Sequence, residues 1–454
     1  MQLYDTRRRR VAELEPFVQG QIGLYSCGPT VYGDAHIGNF RTYIFEDVLV
    51  RALRYLDFNV LRVMNVTDVG HLVSDADEGE DKLEIGARRD GITAWEVAKR
   101  YEQRFLNDFD ALGLERPDRL VRATETIPAQ IDLIQQLEKR GSTYCLADGI
   151  YFDASTFPTY AELGRLDLAG QQAGFRVQVV EGKRHPYDFA LWKFSARGTK
   201  RDMEWESPWG IGFPGWHIEC SAIVMQELGE EIDIHCGGVD HITVHHSNEI
   251  AQSETVTGKR LARHWCHTEF LLLDGGKMSK SLGNLYTLAD LAARGIEPAA
   301  FKLFTYSAHY RSKQNFSWEA AEAAQKNLQR LRYLFTQGGT ALYSVDTLKR
   351  FDEALQADMN VPEALAVVWE VAQSDLSVES KQALARQIDR VFALDLLHQE
   401  IEDEIPSTVL AIANERNQAR EAKQWLEADR LRLEVEAAGY YILDTHSGSK
   451  IRKQ

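Results

Sequence analysis

The run QIGLYSCGPTVYGDAHIGNFRTYIFEDVLVRALRYLDFNVLRVMNV, residues 21–66, has the clearest structural pattern in the chain. Residues 20–27 predict a short strand after a glycine-bearing turn, and a Gly-Pro pair then predicts a loop. Apolar side chains recur at helical spacing through residues 38–55, and those of residues 60–66 predict a second strand. Strand, loop, helix and strand in this order predict a βαβ unit, and hence a parallel sheet with a ligand site at the ends of its strands.

The remaining chain divides by composition. Residues 69–84 are acidic and poor in apolar side chains, which predicts an exposed loop, and residues 94–140 predict helices. Glycine, proline and aromatic residues punctuate residues 143–205, which indicates an inserted mixed subdomain. Beyond residue 288 the pattern is helical almost to the end, with a break near Pro406.

Length and composition indicate an ordinary globular protein. The 454 residues are enough for two or three domains, and 44% are hydrophobic and 26% charged. No stretch reaches the roughly 18 to 20 apolar residues that a membrane helix needs. No apolar run follows the arginines at positions 7–10, so they do not form an export signal. We therefore expect a cytoplasmic protein that does not bind membranes.

The cysteines and the net charge narrow the functional classes. Five sparsely placed cysteines do not predict a disulfide framework, which leaves buried thiols or metal ligands. The net charge of −16 argues against non-specific nucleic-acid binding, because that binding depends on many Lys and Arg contacts to phosphates. A shaped nucleic acid bound on a local basic face remains possible.

Two loops contain residue types that bind phosphate. His36-Ile-Gly38-Asn39 precedes the predicted helix, whose N-terminal N–H groups attract anions, although a simple helix cap explains these residues equally well. Lys277-Met-Ser-Lys280-Ser follows Asp-Gly-Gly, and its two lysines can stabilise a polyphosphate as pyrophosphate leaves. An isolated loop of this kind is usually a solvated turn. The two loops in this order are more specific than either alone.

Four further residues are candidate metal ligands. His245 and Glu249 are four residues apart and would share one helical face. Cys27 ends the first predicted strand, and Cys220 closes the run GWHIEC. An isolated cysteine is more often a small buried apolar residue, so both interpretations stay open. Thiolates, an imidazole and a carboxylate together suit zinc.

These motifs together resemble those of the cysteinyl-tRNA synthetases, which are class I aminoacyl-tRNA synthetases. The resemblance covers nearly the whole chain. It is carried by SCGPTVY (26–32), NVTD (65–68), DFALWK (188–193), SPWG (207–210), GWHIEC (215–220), GGVD (237–240), HHSNEIAQ (245–252), KMSKSLGN (277–284), HYRS (309–312) and residues 419–444.

The resemblance implies an α/β protein. It would have a class I Rossmann-like parallel-sheet catalytic core with an insertion, followed by a helical bundle and a small C-terminal domain. The corresponding boundaries are the catalytic domain's first half at 1–120, the connective insertion at 121–205, the second half with the zinc site at 206–255, a lysine-loop subdomain that contacts the tRNA stem at 256–312, the bundle at 313–400 and an anticodon-contacting domain at 401–454.

The resemblance also implies roles for individual residues. The zinc ligands, for one ion per chain, would be Cys27, Cys220, His245 and Glu249. The ATP-binding residues would be His36, Gly38, Asn39, Asp240 and Lys280. The catalytic residues would be His36, Asn39, Lys277 and Lys280. The amino-acid pocket would contain Gly28, Thr67 and Trp216. His246 is a neighbouring alternative ligand, but His245 has the matching position.

The implied activity is a cysteine–tRNA ligase reaction, with tRNA(Cys), L-cysteine and ATP as partners and Mg²⁺ assisting at the phosphates. Cysteine would form an adenylate and then pass to the 3′ end of the tRNA, on a monomeric enzyme. Shape alone distinguishes small side chains by only about 1–3 kcal/mol, so we expect zinc to recognise the thiolate directly. No extra segment for an editing domain is evident.

Three departures from the family pattern and two rival functions remain. Asn39 replaces the second histidine of the family's motif, an acidic stretch separates Asp68 from Asp81-Lys82, and Ile451 lies where a tryptophan is usual. The rivals are a ligase that joins cysteine to an amino sugar in mycothiol assembly, and a catalytically silent RNA-binding relative. The helical C-terminal third argues against the first, and the Lys277–Ser281 loop against the second.

Overall fold

The structure, a computed structural model, describes residues 1–70, 81–166, 182–195, 201–273, 276–277, 285–398, 406–422, 424–445 and 448–453. The chain forms two compact units, residues 1–397 and residues 398–454. In the described ranges, every helix is too short or too polar to cross a bilayer.

The first 122 residues contain the predicted βαβ unit. Their elements are β1 (Gln2–Asp5), β2 (Arg10–Glu13), β3 (Gln21–Ser26), α1 (Ile37–Tyr55), β4 (Asn59–Val66), α2 (Lys82–Asp90), α3 (Ala94–Ala111) and β5 (Arg119–Arg122). Strands β3 and β4 pair in parallel, with Gln21 opposite Asn59 and Ser26 opposite Met64, and α1 connects them. The βαβ prediction is confirmed. Strand β5 was missed inside a region predicted as helical, because its sequence RLVR has only two apolar residues.

An inserted subdomain follows β5. Its elements are α4 (Ile127–Lys139), β6 (Thr143–Leu146), β7 (Gly149–Phe152), β8 (Phe189–Phe194) and β9 (Gly212–Pro214). The strands form an antiparallel sheet in the order β6-β7-β8-β9. The predicted boundary at residue 205 falls between β8 and β9, which pair with each other.

The chain then completes the parallel sheet. The elements are α5 (Trp216–Glu227), β10 (Ile232–Gly238), α6 (His245–Thr257) and β11 (Ala262–Thr268). The sheet has five strands in the order β11-β10-β3-β4-β5, and all its pairings are parallel. Strand β11 lies beyond the predicted boundary at residue 255, and the order changes direction next to β3. Candidate site residues come directly after the carboxyl ends of β3, β4 and β10. Ligands of a parallel sheet bind at this edge.

The rest of the first unit is mainly helical, as predicted. Its elements are β12 (Leu271–Leu273), β13 (Gly276–Lys277), α7 (Leu288–Ala292), α8 (Pro298–Tyr306), β14 (Gln314–Phe316), α9 (Trp318–Phe335), α10 (Lys349–Gln356), α11 (Val361–Gln373) and α12 (Val378–Phe392). One apolar core joins α1 to α8, α9, α11 and α12 through residues such as Leu53, Phe301 and Phe392. Helix α1 therefore packs against the parallel sheet on one side and against the helical region on the other.

The second unit consists of α13 (Ser407–Glu421), α14 (Trp425–Ala437), β15 (Tyr440–Thr445) and β16 (Gly448–Lys453). Pro406 occupies the N-cap position of α13, which agrees with the break predicted there. The terminal hairpin was not predicted, because GSKIRK in β16 has Ile451 as its single apolar residue.

The predicted exposed loop at 69–84 is described only at its ends, since residues 71–80 lie outside the described residues. Val69 and Asp81 are buried, and α2 begins at Lys82. Asp81 accepts a hydrogen bond from the N–H of Leu83 at 2.8 Å and pairs with Arg201. The prediction is wrong at these ends, because capping and ion pairing offset the cost of burying an acidic side chain.

Candidate metal centre and active site

Four side chains with metal-binding atoms converge from distant parts of the sequence. Cys27 follows β3, Cys220 lies in the second turn of α5, and His245 and Glu249 lie one turn apart in α6. One donor atom from each lies within 4.8 Å of the others, and all four residues are buried. The structure thus brings together the four predicted zinc ligands.

The chemistry of this set fits zinc. Burial raises the pKa of the Cys27 thiol well above its usual value, and the neighbouring Cys220 thiol and Glu249 carboxylate raise it further. Burial also raises the pKa of Cys220. Thiolates are therefore costly here unless a cation lies among them, and two thiolates, an imidazole and a carboxylate are ligands that zinc prefers.

A second possible set shares two members with the first. It combines Cys27 and Glu249 with His235 and His246. His246 Nε2 lies 3.3 Å from Cys27 Sγ, and His235 Nε2 lies 2.9 Å from Glu249 Oε2. We keep His245 rather than His246 as the proposed imidazole ligand, because His245 lines the adjacent cavity, and we assign His235 and His246 to supporting hydrogen bonds. Such partners orient metal ligands.

The supporting histidines continue into the interior. His246 Nδ1 lies 2.8 Å from His267 Nε2, and His267 Nδ1 lies 2.7 Å from Thr6 Oγ1. Burial lowers the pKa of His246 and of His267 well below the usual value, so both are neutral. Sequence reasoning did not single out His235 or His267. Their sequence signal is a histidine within a strand whose residues are almost all buried.

A cavity of about 470 Å³ lies beside the metal-ligand set and extends to the start of α1. The predicted site residues that line it are Cys27, Gly28, His36, Gly38, Asn39, Trp216, Asp240 and His245. This volume is typical of small-molecule sites. The predicted His36–Asn39 loop and two of the predicted metal ligands, Cys27 and His245, therefore line one cavity.

The structure describes two of the other three predicted site residues, the Thr67 side chain and the Lys277 backbone. Thr67 does not line this cavity; it is 1% exposed, and its hydroxyl donates to Glu219. Lys280 lies outside the described residues. The backbone of Lys277 lies in β13, where it pairs with Leu272.

Helix α1 begins at the cavity wall. Asn39, at its third position, accepts a hydrogen bond from the N–H of His36 at 3.1 Å. Asn39 is thus part of the cap of this 19-residue helix, which was the simpler of the two interpretations. The N–H groups of Ile37 and Asn39 donate to Tyr286 O at 2.8 Å and to His36 O at 2.9 Å, so the feature of this terminus that favours an anion is the positive end of the helix dipole.

Comparisons with known proteins agree with this geometry. Residues 13–326 match the family of class I (C) tRNA synthetase catalytic domains. Cysteine–tRNA ligase 1 of Burkholderia lata is 49% identical over 454 residues, with 99% of this chain and 96% of the relative covered. The cysteine–tRNA ligase of Treponema denticola is 38% identical, with 100% and 99% covered. The chain belongs to the cysteine–tRNA ligase family.

Solved class I synthetases share the fold of this cysteine–tRNA ligase family member at low sequence identity. A Mycobacterium tuberculosis methionyl-tRNA synthetase in complex with methionyl-adenylate aligns with a TM-score of 0.55 at 14% identity, over 83% of this chain and 89% of that one. A ternary complex of Agrobacterium radiobacter K84 LeuRS with tRNA and LeuAMS aligns with a TM-score of 0.59 at 10% identity, over 84% and 85%. The fold prediction is confirmed.

The cavity of this cysteine–tRNA ligase family member also includes residues that sequence reasoning missed. Lys82, Tyr101 and Phe105 line it, and the Lys82 ammonium lies 4.7 Å from the centre of the Tyr32 ring. Lys82 was noted only for the acidic stretch that precedes it. Its position at the start of α2, which returns toward α1, was not evident from local sequence.

Proposed function

We propose that this protein activates L-cysteine with ATP to form cysteinyl-adenylate and transfers the cysteinyl group to the 3′ end of tRNA(Cys). Zinc, held by Cys27, Cys220, His245 and Glu249, would select the amino acid. The observation that carries the proposal is that these four donor atoms lie together, and that two of the four residues, Cys27 and His245, line the cavity that extends to α1.

The metal-ligand end of the cavity supports a site for a small side chain. When bound, zinc holds a soft thiolate far better than a hydroxyl, which is the chemistry needed to reject serine. Trp216 lines this end, and its ring centre lies 4.3 Å from that of His245. The indole therefore limits the width of the cavity beside the ligands and excludes larger side chains by contact.

The other end of the cavity supports a site for the nucleotide. The N-terminus of α1 places the positive end of the helix dipole at the cavity, which favours phosphate oxygens. Gly38 allows close backbone approach, and Asp240 also lines the cavity, with acceptors suited to ribose hydroxyls. Attack of the cysteine carboxylate on the α-phosphate needs no enzyme nucleophile, so positioning and charge stabilisation are sufficient.

The remaining parts of the proposal concern partners and location. Mg²⁺ would accompany ATP, and Lys277 and Lys280 would neutralise charge as pyrophosphate leaves. The full-length match to cysteine–tRNA ligases includes the second unit, which favours tRNA over an amino sugar as acceptor. We further propose a monomer acting in the cytoplasm.

The proposal is tested by changing Cys220→Ser and measuring zinc content together with cysteine-dependent ATP–pyrophosphate exchange. We expect loss of bound zinc and at least about a tenfold loss of exchange, since a hydroxyl is a poor zinc ligand. Cys145→Ser is the control, because Cys145 is an exposed free thiol. Wild-type protein that is active without stoichiometric zinc, or an unaltered preference for cysteine over serine in Cys220→Ser, would contradict the zinc site.

A further inference from the structure

A buried chain of hydrogen bonds runs behind the cavity wall. The N–H of Gly28 donates to Asn65 Oδ1 at 2.8 Å. Asn65 Nδ2 donates to Thr67 Oγ1 at 3.1 Å, and the Thr67 hydroxyl donates to Glu219 Oε2 at 2.9 Å. The three side chains are at most 2% exposed. The chain therefore connects the end of β3 to α5 through two residues at the end of β4.

The ends of this chain adjoin the two cysteines of the metal centre. Gly28 directly follows Cys27, and Glu219 directly precedes Cys220. The two cysteines are otherwise held by elements far apart in sequence, a strand end and a helix. The hydrogen-bonded chain is thus a direct side-chain link between the two backbone segments that carry the sulfur ligands.

The direction of each hydrogen bond is fixed by chemistry. A backbone N–H can only donate, so the amide oxygen of Asn65 must face Gly28 and its NH₂ group must face Thr67. Since Thr67 accepts there, its own proton points toward Glu219. This series of hydrogen bonds therefore requires an acceptor at position 219.

Close backbone packing holds the other end of the link. A Cβ added to Gly28 would lie 1.7 Å from the carbonyl oxygen of Asn65, so no larger residue fits without moving the segment. The residue after Cys27 is thus packed directly on the end of β4. Movement of Asn65 or Thr67 would be transmitted to the Cys27 segment.

The acceptor at position 219 is held at an energetic cost. Glu219 is 0% exposed, and its second oxygen, Oε1, has no hydrogen-bond partner within the described part of the chain. Burying a carboxyl group without full hydrogen bonding costs free energy, and a methionine of similar volume would avoid that cost. Packing alone does not explain a glutamate here, whereas the bond to Thr67 does.

We propose that Glu219 is a positioning residue for the metal centre, which fixes the separation of Cys27 and Cys220 through Thr67 and Asn65. This proposal rests on the proposed zinc site and adds a residue to it. The role of Glu219 lies in its hydrogen bond. A glutamine at position 219 keeps an acceptor oxygen and should therefore preserve this role. A methionine has no such oxygen and should not.

The test measures zinc affinity by competition with a chromophoric chelator, using zinc alone and no substrate. We expect Glu219→Met to bind zinc about 10- to 100-fold more weakly, the usual effect of losing a residue that orients metal ligands. Glu219→Gln should stay close to wild type. Thr67→Val breaks the same hydrogen-bonded link. The Glu219→Met/Thr67→Val double variant should therefore lose no more zinc affinity than whichever single variant binds zinc less tightly.

Gln314→Met is the matched control. Gln314 is also buried, donates to Phe304 O and has an unpartnered side-chain oxygen in the described structure, but it contacts no residue of the metal centre. It should lower stability in urea without changing zinc affinity. Equal losses in Gln314→Met and Glu219→Met, additive losses in the double variant, or wild-type affinity in Glu219→Met would overturn the positioning role. Wild-type protein that binds no zinc would instead overturn the proposed function.

Discussion

Glu46 and Arg62 form a buried hydrogen bond inside the first unit, between α1 and β4. Arg62 Nη2 lies 3.1 Å from Glu46 Oε2, and neither side chain is more than 1% exposed. Arg62 Nε also donates to Ser26 Oγ at 3.3 Å. Burial raises the pKa of Glu46 to about 8, and the neighbouring guanidinium only partly opposes this. A carboxyl group beneath the catalytic sheet therefore titrates near neutral pH.

We expect the contribution of Glu46 to the free energy of unfolding to fall as the pH rises from about 5 to 8. The pKa of Glu46 is about 8 in the folded state against 4.5 for the free side chain, so the stability from this group is present at low pH and lost as the pH approaches 8. Glu46→Gln cannot titrate and should flatten this dependence, by roughly 1–4 kcal/mol across the range. Urea unfolding at several pH values measures the difference.

A control separates this effect from general surface titration. Glu319 is exposed, and hydrogen bonds from the backbone and Ser317 lower its pKa below 4.5. Glu319→Gln should leave the slope between pH 5 and 8 unchanged. A slope in Glu46→Gln equal to that of wild type would show that Glu46 is ionised throughout this range.

At the scale of secondary structure, α1 joins the stability of the fold to the nucleotide end of the cavity. Its cap uses Asn39, while the family's motif has a histidine there. The same side chain therefore affects both the first turn of the helix and the charge near a bound phosphate.

Two substitutions at Asn39 should separate these effects. Asn39→Ala removes the cap acceptor and should cost about 0.5–2 kcal/mol of stability. Asn39→Asp keeps the acceptor and should preserve stability, but its negative charge should raise the KM for ATP with little change in the KM for cysteine. Urea unfolding and ATP–pyrophosphate exchange measure the two properties. A normal ATP KM in Asn39→Asp would place the phosphates away from the start of α1.

Elements with strong periodicity were predictable, and short polar ones were not. The apolar spacing of residues 38–55 predicted α1 because one face of that helix packs on the sheet and another on the helical region. Strand β5 and the hairpin of β15 and β16 were missed. Their partners, rather than their own side-chain patterns, hold them in place.

At the scale of the whole molecule, we expect the two compact units to serve different steps of the proposed reaction. The proposed cysteine, ATP and zinc sites all lie within residues 1–397, and the second unit begins at residue 398. Adenylate formation requires only the proposed cysteine, ATP and zinc sites, whereas tRNA charging also requires recognition of the RNA.

A chain ending at residue 397 should therefore retain cysteine-dependent ATP–pyrophosphate exchange and bound zinc. It should charge tRNA(Cys) with a much lower kcat/KM, because the anticodon contacts that we propose for the second unit are lost. Both reactions are measured on the same preparation, with zinc content as the check on folding. Equal loss of both reactions would show that the second unit is needed for the first step.

The sequence alone was sufficient for the fold class and the family, because these depend on local periodicity and on motifs in a fixed order. It also predicted Cys27, Cys220, His245 and Glu249 as metal ligands, but only through the resemblance. Residues 27 and 220 are too far apart in the sequence to form a metal-binding motif with a characteristic spacing. Only the tertiary structure placed their donor atoms within 4.8 Å of one another. It also decided the positions of Glu219, His235 and Lys82, because hydrogen bonds and cavity walls between distant segments form only when the sheet brings the ends of its strands together.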